Sequence, residues 1–353
     1  FCKAPYRELI NKINNDVIIM ADFERGGKVR RLGKTRTIEE YSLMYPGPSR
    51  WFVKQAQNLA GKRKLWAKLQ INTTHELATA PNLPLTVSLY RKFQYLKKVK
   101  IDGFMASWNF GCSAETLNIF AVNQLSTSKQ KLSEKQWLSK LAKDFFGRKI
   151  DANKAVKAWY LFQRACRFYP IGVGNEYLYF GLISYALAYP LKLSFTDKPL
   201  GPSWLKHEFG DRVENSLKEI TLSQTIELLG RFVKAWSNAL TIYDKAFSGI
   251  KKTERISKEL GCAHYIGSSA ASAYNIYRWY RLRKNKKNVP LSKSEIDIVK
   301  SEIENCQSAL PFLEADSRLG FHGEAQYRMV SPETVAQKIK LLESYLLNDG
   351  SIK

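Results

Sequence analysis

Apolar and polar positions along the first third of the chain repeat one unit three times: a short apolar run, a polar end, then a segment with helical spacing. The first is DVIIMADFE (16–24), followed by a Gly-rich basic loop and YPGPSRWFVKQAQNLAGK (45–62), where Pro46 and Pro48 mark a turn and Ser49 is placed to cap a helix. The second is KLWAKLQINTTHE (64–76), followed by a loop holding Pro81 and Pro84 and by VSLYRKFQYLKKVK (87–100). The third is IDGFMASWN (101–109), followed by ETLNIFAVNQL (115–125). Strand, loop and helix at this spacing predict parallel β/α units with right-handed crossovers. Three units cannot close a barrel, so they are either the last three of eight or part of an open sheet.

After about Ser126 the β-like runs stop. Ser133 with Gln136 three residues on predicts a capped helix, and Asp151 opens another with Ala155, Trp159, Phe162 and Ala165 on one face. Two Gly/Pro-rich loops, PIGVGNEY and DKPLGPSW, precede longer helical patterns over Leu222–Phe247, Thr253 to about Arg283 and Ser292 to about Leu313. Ser331 as N-cap with Pro332 behind it starts a last helix running to Leu347. A helical bundle is the expected second region.

Composition narrows the class. A chain of 353 residues that is 44% hydrophobic and 12% aromatic can bury a large core in two domains. No apolar run is long enough to span a bilayer, so no membrane partner is expected. The start FCKAPYRELI has neither an initiator Met nor a signal-peptide pattern, and predicts that the N-terminal part of a longer protein is missing; a cytoplasmic setting is favoured. Five scattered cysteines argue for buried free thiols over disulfides, and four histidines without i,i+4 pairing give no metal site.

The formal charge of +24 raises the question of nucleic acid. The basic clusters (Arg25–Arg36, GKRK, KKVK, RLRKNKK) lie in different elements without a nucleic-acid motif, so they read as solvated surface, and nucleic acid is not the expected partner. FYPIGVGNEYLY (168–179) lacks both phosphate-loop and dinucleotide fingerprints and reads as a packing loop; no cofactor is expected.

The chemistry gathers at the strand ends, where ligands sit in parallel α/β proteins. Asp22 and Glu24 share one parity on the first run; Gln70, Asn72, Thr74 and Glu76 share one on the second; the third ends in Trp108, Asn109 and Glu115. If the strands are neighbours, these ends converge on one rim. Carboxylates and amides for vicinal hydroxyls, with a Trp face for the ring, match a sugar; the alternative is Trp108 in the core and Glu76 and Glu115 as helix caps. ADSRLGFHGEAQYR (315–328) reads as an ordered loop, with Asp316, Arg318 and His322 either facing a ligand or forming a local pair beside a Phe321 plug.

FERGG, QINTTHELATAPNLP and DGFMASWNFGCSAETLNIFA together resemble the closing strands of a bacterial TIM-barrel glycosidase-like family related to the β-N-acetylhexosaminidases. AWYLFQRACRFYPIGVG, GPSWL and ADSRLGFHGEAQYRMVSPETVAQKI resemble its helical C-terminal region, so the likeness spans nearly the whole chain. The resemblance implies residues 1–125 as the last three β/α units of a partial TIM barrel and 126–353 as a helical domain packed beside it, an α/β plus all-α architecture. It implies part of a glycoside hydrolase whose partner is a carbohydrate. Asp22, Glu24, Asn72, Glu76, Trp108, Asn109, Glu115, Asp316, Arg318 and His322 are the binding candidates. Such enzymes carry their Asp-Glu pair after the fourth strand and use the substrate's N-acetyl group as nucleophile, so the catalytic acid is expected upstream of this chain and not among these residues. A non-catalytic carbohydrate-binding module and a basic nucleic-acid-binding helical protein are the alternatives, and oligomeric state is left open.

Overall fold

The computed structural model describes residues 8, 10, 12–39, 41–59, 61–72, 76–106, 115–170, 182–196, 198, 210–217, 220–286, 290–323 and 325–348. In chain order they form β1 (Ile19–Asp22), a hairpin of β2 (Lys28–Arg31) and β3 (Lys34–Thr37), α1 (Arg50–Leu59), β4 (Leu65–Leu69), α2 (Thr86–Val99), β5 (Gly103–Ala106) and α3 (Leu117–Thr127). The helical part follows: α4 (Glu134–Phe146), α5 (Ala152–Ala165), α6 (Leu222–Ala246), α7 (Glu254–Arg283), α8 (Lys293–Ala315), the short strands β6 (Phe321–His322) and β7 (Tyr327–Arg328), and α9 (Pro332–Asn348). The chain is thus a mixed α/β protein with a large helical region.

The three apolar runs are neighbours. β1 and β5 each pair in parallel with β4, giving the order β1-β4-β5, and neither outer edge has a strand partner among the described residues. Register puts Ala21, Ala67 and Phe104 side by side on one face, where Phe104 meets Phe93 of α2 at 5.1 Å between ring centroids. The opposite face carries Met20, Trp66 and Gly103 in one row and Asp22, Lys68 and Met105 in the next. Met20 is 44% exposed and the others of this face are half-buried, so the sheet is covered by helices on one side and open on the other.

Helix starts follow local chemistry. Phe52 N–H donates to Ser49 Oγ at 3.1 Å, Lys154 N–H to Asp151 Oδ1 at 3.0 Å, and Thr334 N–H to Ser331 Oγ at 3.3 Å. Ser133 with Gln136, and Ser292 with Glu295, close capping boxes. Ala155, Trp159, Phe162 and Ala165 are fully buried, with Phe162 against Trp236 of α6 at 4.3 Å between centroids. Cys166, Cys262 and Cys306 are buried free thiols; Cys2 and Cys112 lie outside the described residues.

Two stretches differ from expectation. The Gly-rich basic loop is a hairpin, turned by Leu32 and Gly33 at φ 47° and 78°, and its arms alternate charge with Thr and Val instead of apolar with polar. The 315–328 segment forms the β6–β7 ribbon. One continuous apolar core runs from Phe23 to Leu346. Buried bonds cross it: Arg31 donates to Tyr169 O at 2.8 Å and Cys166 O at 3.0 Å, and the Tyr169 hydroxyl donates to Glu76 O.

Gly320 holds the ribbon to the loop after β4. Its N–H donates to Thr79 O at 2.9 Å, its φ is +83°, and a Cβ there would lie 1.8 Å from Val330 O. Gly320→Ala is expected to cost about 2–4 kcal/mol, read as a lower denaturant midpoint at unchanged slope; an unchanged midpoint would show that the ribbon is not held by this contact.

Candidate functional site

The strand ends are joined from inside by a buried charge cluster. Glu24, two residues past β1, is 0% exposed, and its Oε1 accepts from Gln70 N–H at 3.0 Å and from Lys92 Nζ at 2.5 Å. Lys92 comes from α2, is also fully buried, and donates further to Ser42 O at 2.8 Å and Gln70 O at 3.0 Å. Glu76 accepts from the Ser42 hydroxyl and from the N–H groups of Leu43 at 3.1 Å and Met44 at 3.3 Å, fixing the segment that leads into α1. Burial pushes the Glu24 carboxyl up to about 7 against the pull of Lys92, and pushes the Lys92 ammonium down against the pull of Glu24.

The network continues to the start of α3. Asn72 Nδ2 donates to Thr116 Oγ1 at 3.2 Å, and Thr116 caps α3. Asn118 Nδ2 donates to Ile71 O at 2.9 Å and Leu83 O at 2.7 Å. Glu259, on α7, accepts from Leu117 N–H at 2.9 Å and Asn82 Nδ2 at 3.2 Å. Burial raises the Glu259 carboxyl above its ordinary value, while these donors hold it down. The three strand ends therefore share one rim, and α7 of the helical part docks onto it.

At this junction opens a cleft of about 520 Å³. It is lined by Glu115, by the first turns of α7 (Glu254, Arg255, Lys258) with the buried Glu259, by Arg318, and by Asp144 and Phe145 at the end of α4. Arg318 is held by a two-point pair with Asp316, Nε to Oδ1 at 2.9 Å and Nη2 to Oδ2 at 2.7 Å. Burial works against its charge, but the bonds and charge of Asp316 outweigh it and raise the guanidinium above its ordinary value. Arg255 lies over the Phe145 ring at 4.9 Å. The cleft combines an exposed carboxylate with a fixed guanidinium, groups able to hydrogen-bond a polyhydroxylated ligand.

The sequence candidates divide accordingly. Glu115 and Arg318, far apart in the chain, meet at the cleft, with Asp316 behind Arg318. Glu24, Asn72 and Glu76 differ from the expected sugar contacts: they reach the right rim but are turned inward and brace it. Asp22 is one-third exposed on the open sheet face, 3.9 Å from Arg25. His322 is 2% exposed and accepts from Ala325 N–H at 3.3 Å, a position inside the ribbon; burial lowers it to about 4. Trp108 and Asn109 lie outside the described residues. Lys92 and Glu259 were not anticipated. Each occupies an apolar stripe, Leu89-Lys92-Phe93-Leu96 and Ile256-Glu259-Leu260-Ala263, and a charge at such a position is the signal that marks them.

No metal-binding group of three or more His, Cys, Asp or Glu occurs among the described residues. In comparison with known proteins, no family model matches the chain, and neither does a curated protein or a solved structure.

Lys92→Met strands a buried carboxylate and is expected to cost about 3–5 kcal/mol above pH 7. Because the Glu24 pKa is raised, protonation relieves the variant as pH falls, so the deficit shrinks toward pH 5 in chemical denaturation. A deficit independent of pH would contradict the pair's role.

His322 gives the opposite sign. Its folded pKa of about 4 lies below the ordinary 6.5, so its stabilising contribution holds above 6.5 and is lost as pH falls. Between these limits the slope is about 1.4 kcal/mol per pH unit, and His322→Asn is expected to remove it; an unchanged slope would place the acid sensitivity elsewhere.

Proposed function

We propose that this chain supplies the closing β/α units and helical region of a barrel-type glycoside hydrolase of the hexosaminidase-like class, and that the cleft between Glu115 and Arg318 takes part of its carbohydrate. The observation that carries the reading is the arrangement of the sheet: three parallel strands in chain order, helices on one face, a half-open face of Met20, Trp66, Asp22, Lys68 and Met105 on the other, and strand ends that lie side by side. A strand segment of a barrel has this form, with its inner face and both edges awaiting further strands. The cleft lies on the same rim, where loops after parallel strands receive ligands.

Roles follow from position. Glu115 and Arg318 contact hydroxyl or carbonyl groups of the sugar, Asp316 orients Arg318, and the Lys92 and Glu259 networks keep the rim rigid. Trp108 and Asn109 lie outside the described residues, and the family resemblance alone nominates them as a stacking face and an amide for the same sugar. Proton transfer is assigned to none of them, because the acid pair of this enzyme class follows an earlier strand.

Calorimetric titration of the chain with N-acetylhexosamine oligomers and with plain hexose oligomers tests the reading. Binding of the N-acetylated series is expected, with Trp108→Ala and Glu115→Ala each weakening it about tenfold, close to 1.4 kcal/mol. Wild-type affinity in both variants, or no binding of either series, would contradict it.

A further inference from the structure

Beside the cleft lies a second concavity, an open groove of about 910 Å³ lined by Lys135, Ser139, Lys143 and Arg148 together with Gln136 and Asn153. It is built by the outer face of α4 and the turn into α5. Asp144 lines both concavities, so groove and cleft adjoin at this residue.

The charge of the groove is one-sided. Asp144, its single carboxylate among the described residues, is already engaged by Lys140 Nζ at 2.6 Å and by Gln124 Nε2 at 2.8 Å. Lys135, Lys143 and Arg148 are exposed and make no ion pair among the described residues. Lys135, Ser139 and Lys143 recur at four-residue intervals on α4, setting two ammonium groups about 12 Å apart along the helix with a hydroxyl between them. Gln136 and Asn153 add neutral amides to the wall.

Those features select the kind of ligand. A row of unpaired cations demands a polyanion, and amides and hydroxyls among them suit a chain that carries hydroxyls between its charges. Single-stranded nucleic acid is held largely by aromatic stacking, yet among the described residues no aromatic side chain lines the groove; Trp137 of the same helix is buried against Tyr90, ring centroids 5.4 Å apart.

We propose that this groove binds the acidic groups of a polysaccharide whose neighbouring sugars enter the cleft, so that the substrate class is a sulfated or carboxylated glycan. The assignment rests on the cleft being a carbohydrate site. It gives part of the net charge of +24 a local use beside the cleft.

The full chain and the variant Lys135→Ala/Lys143→Ala/Arg148→Ala are titrated with dextran sulfate, unsulfated dextran, duplex DNA and a neutral N-acetylhexosamine oligomer, at about 50 and 200 mM salt. All three positions are exposed, and thermal unfolding checks that the variant keeps its fold. Dextran sulfate is expected to bind the chain in preference to dextran and DNA, more weakly at the higher salt, and at least tenfold more weakly in the variant, while the neutral oligomer binds both proteins alike. Equal affinity of chain and variant for dextran sulfate, or tighter binding of DNA, overturns the proposal. Variant-sensitive sulfate binding without any binding of the neutral oligomer supports the groove assignment and overturns the reading of the cleft.

Discussion

A single buried ammonium organises the carboxyl end of the sheet. Lys92 reaches in from α2 and donates to the Glu24 carboxylate after β1, to the Ser42 carbonyl before α1 and to the Gln70 carbonyl after β4. Chain leaving a parallel strand inside a protein would bury backbone groups without partners, a cost of a few kcal/mol for each. Lys92 meets two of those carbonyls and the charge that Glu24 brings. Glu76 does the same for the N–H groups of Leu43 and Met44, and Glu259 for that of Leu117. Internal charge thus takes the place that regular hydrogen bonding cannot fill where strands turn into loops.

The consequence is a rim whose polar residues fall into two layers. Glu24, Asn72, Glu76, Lys92 and Glu259 form the inner layer, each buried and bonded to backbone or to its neighbours. Glu115, Arg318 and the first turns of α7 form the outer layer around the cleft. Rigid support behind a small set of solvent-facing groups is what oriented recognition of a hydroxylated ligand requires. The helical region takes part in this, since α7 delivers Glu259 to the inner layer and Arg255 and Lys258 to the outer one.

Much of this was legible in the chain. The apolar run at the start of KLWAKLQINTTHE marked β4, and Ser133, Asp151, Ser292 and Ser331 marked helix starts. The β2–β3 hairpin escaped because its alternation is between charge and Thr or Val, which resembles a basic loop; Gly33 was its only local turn signal. Parity did not carry past the strands: Asp22 lies on the open face, whereas Glu24, of the same parity, is buried against Lys92. Nothing near Glu24 or Glu76 in sequence announces that Lys92 will arrive from a helix and draw the rim inward. The meeting of Glu115 with Arg318 depends on how α7 and the β6–β7 ribbon pack, which no local pattern encodes.

The central claim, that the outer layer of this rim receives a carbohydrate, is tested most directly by amide hydrogen exchange of the chain with and without a saturating N-acetylhexosamine oligomer. Slower exchange is predicted at residues 107–117, at 253–259 and around Arg318, with the hydrogen-bonded amides of Phe23 and Gln70 behind the rim already protected and unchanged. Protection confined to other surfaces, or none at a ligand concentration that saturates binding, would contradict the account.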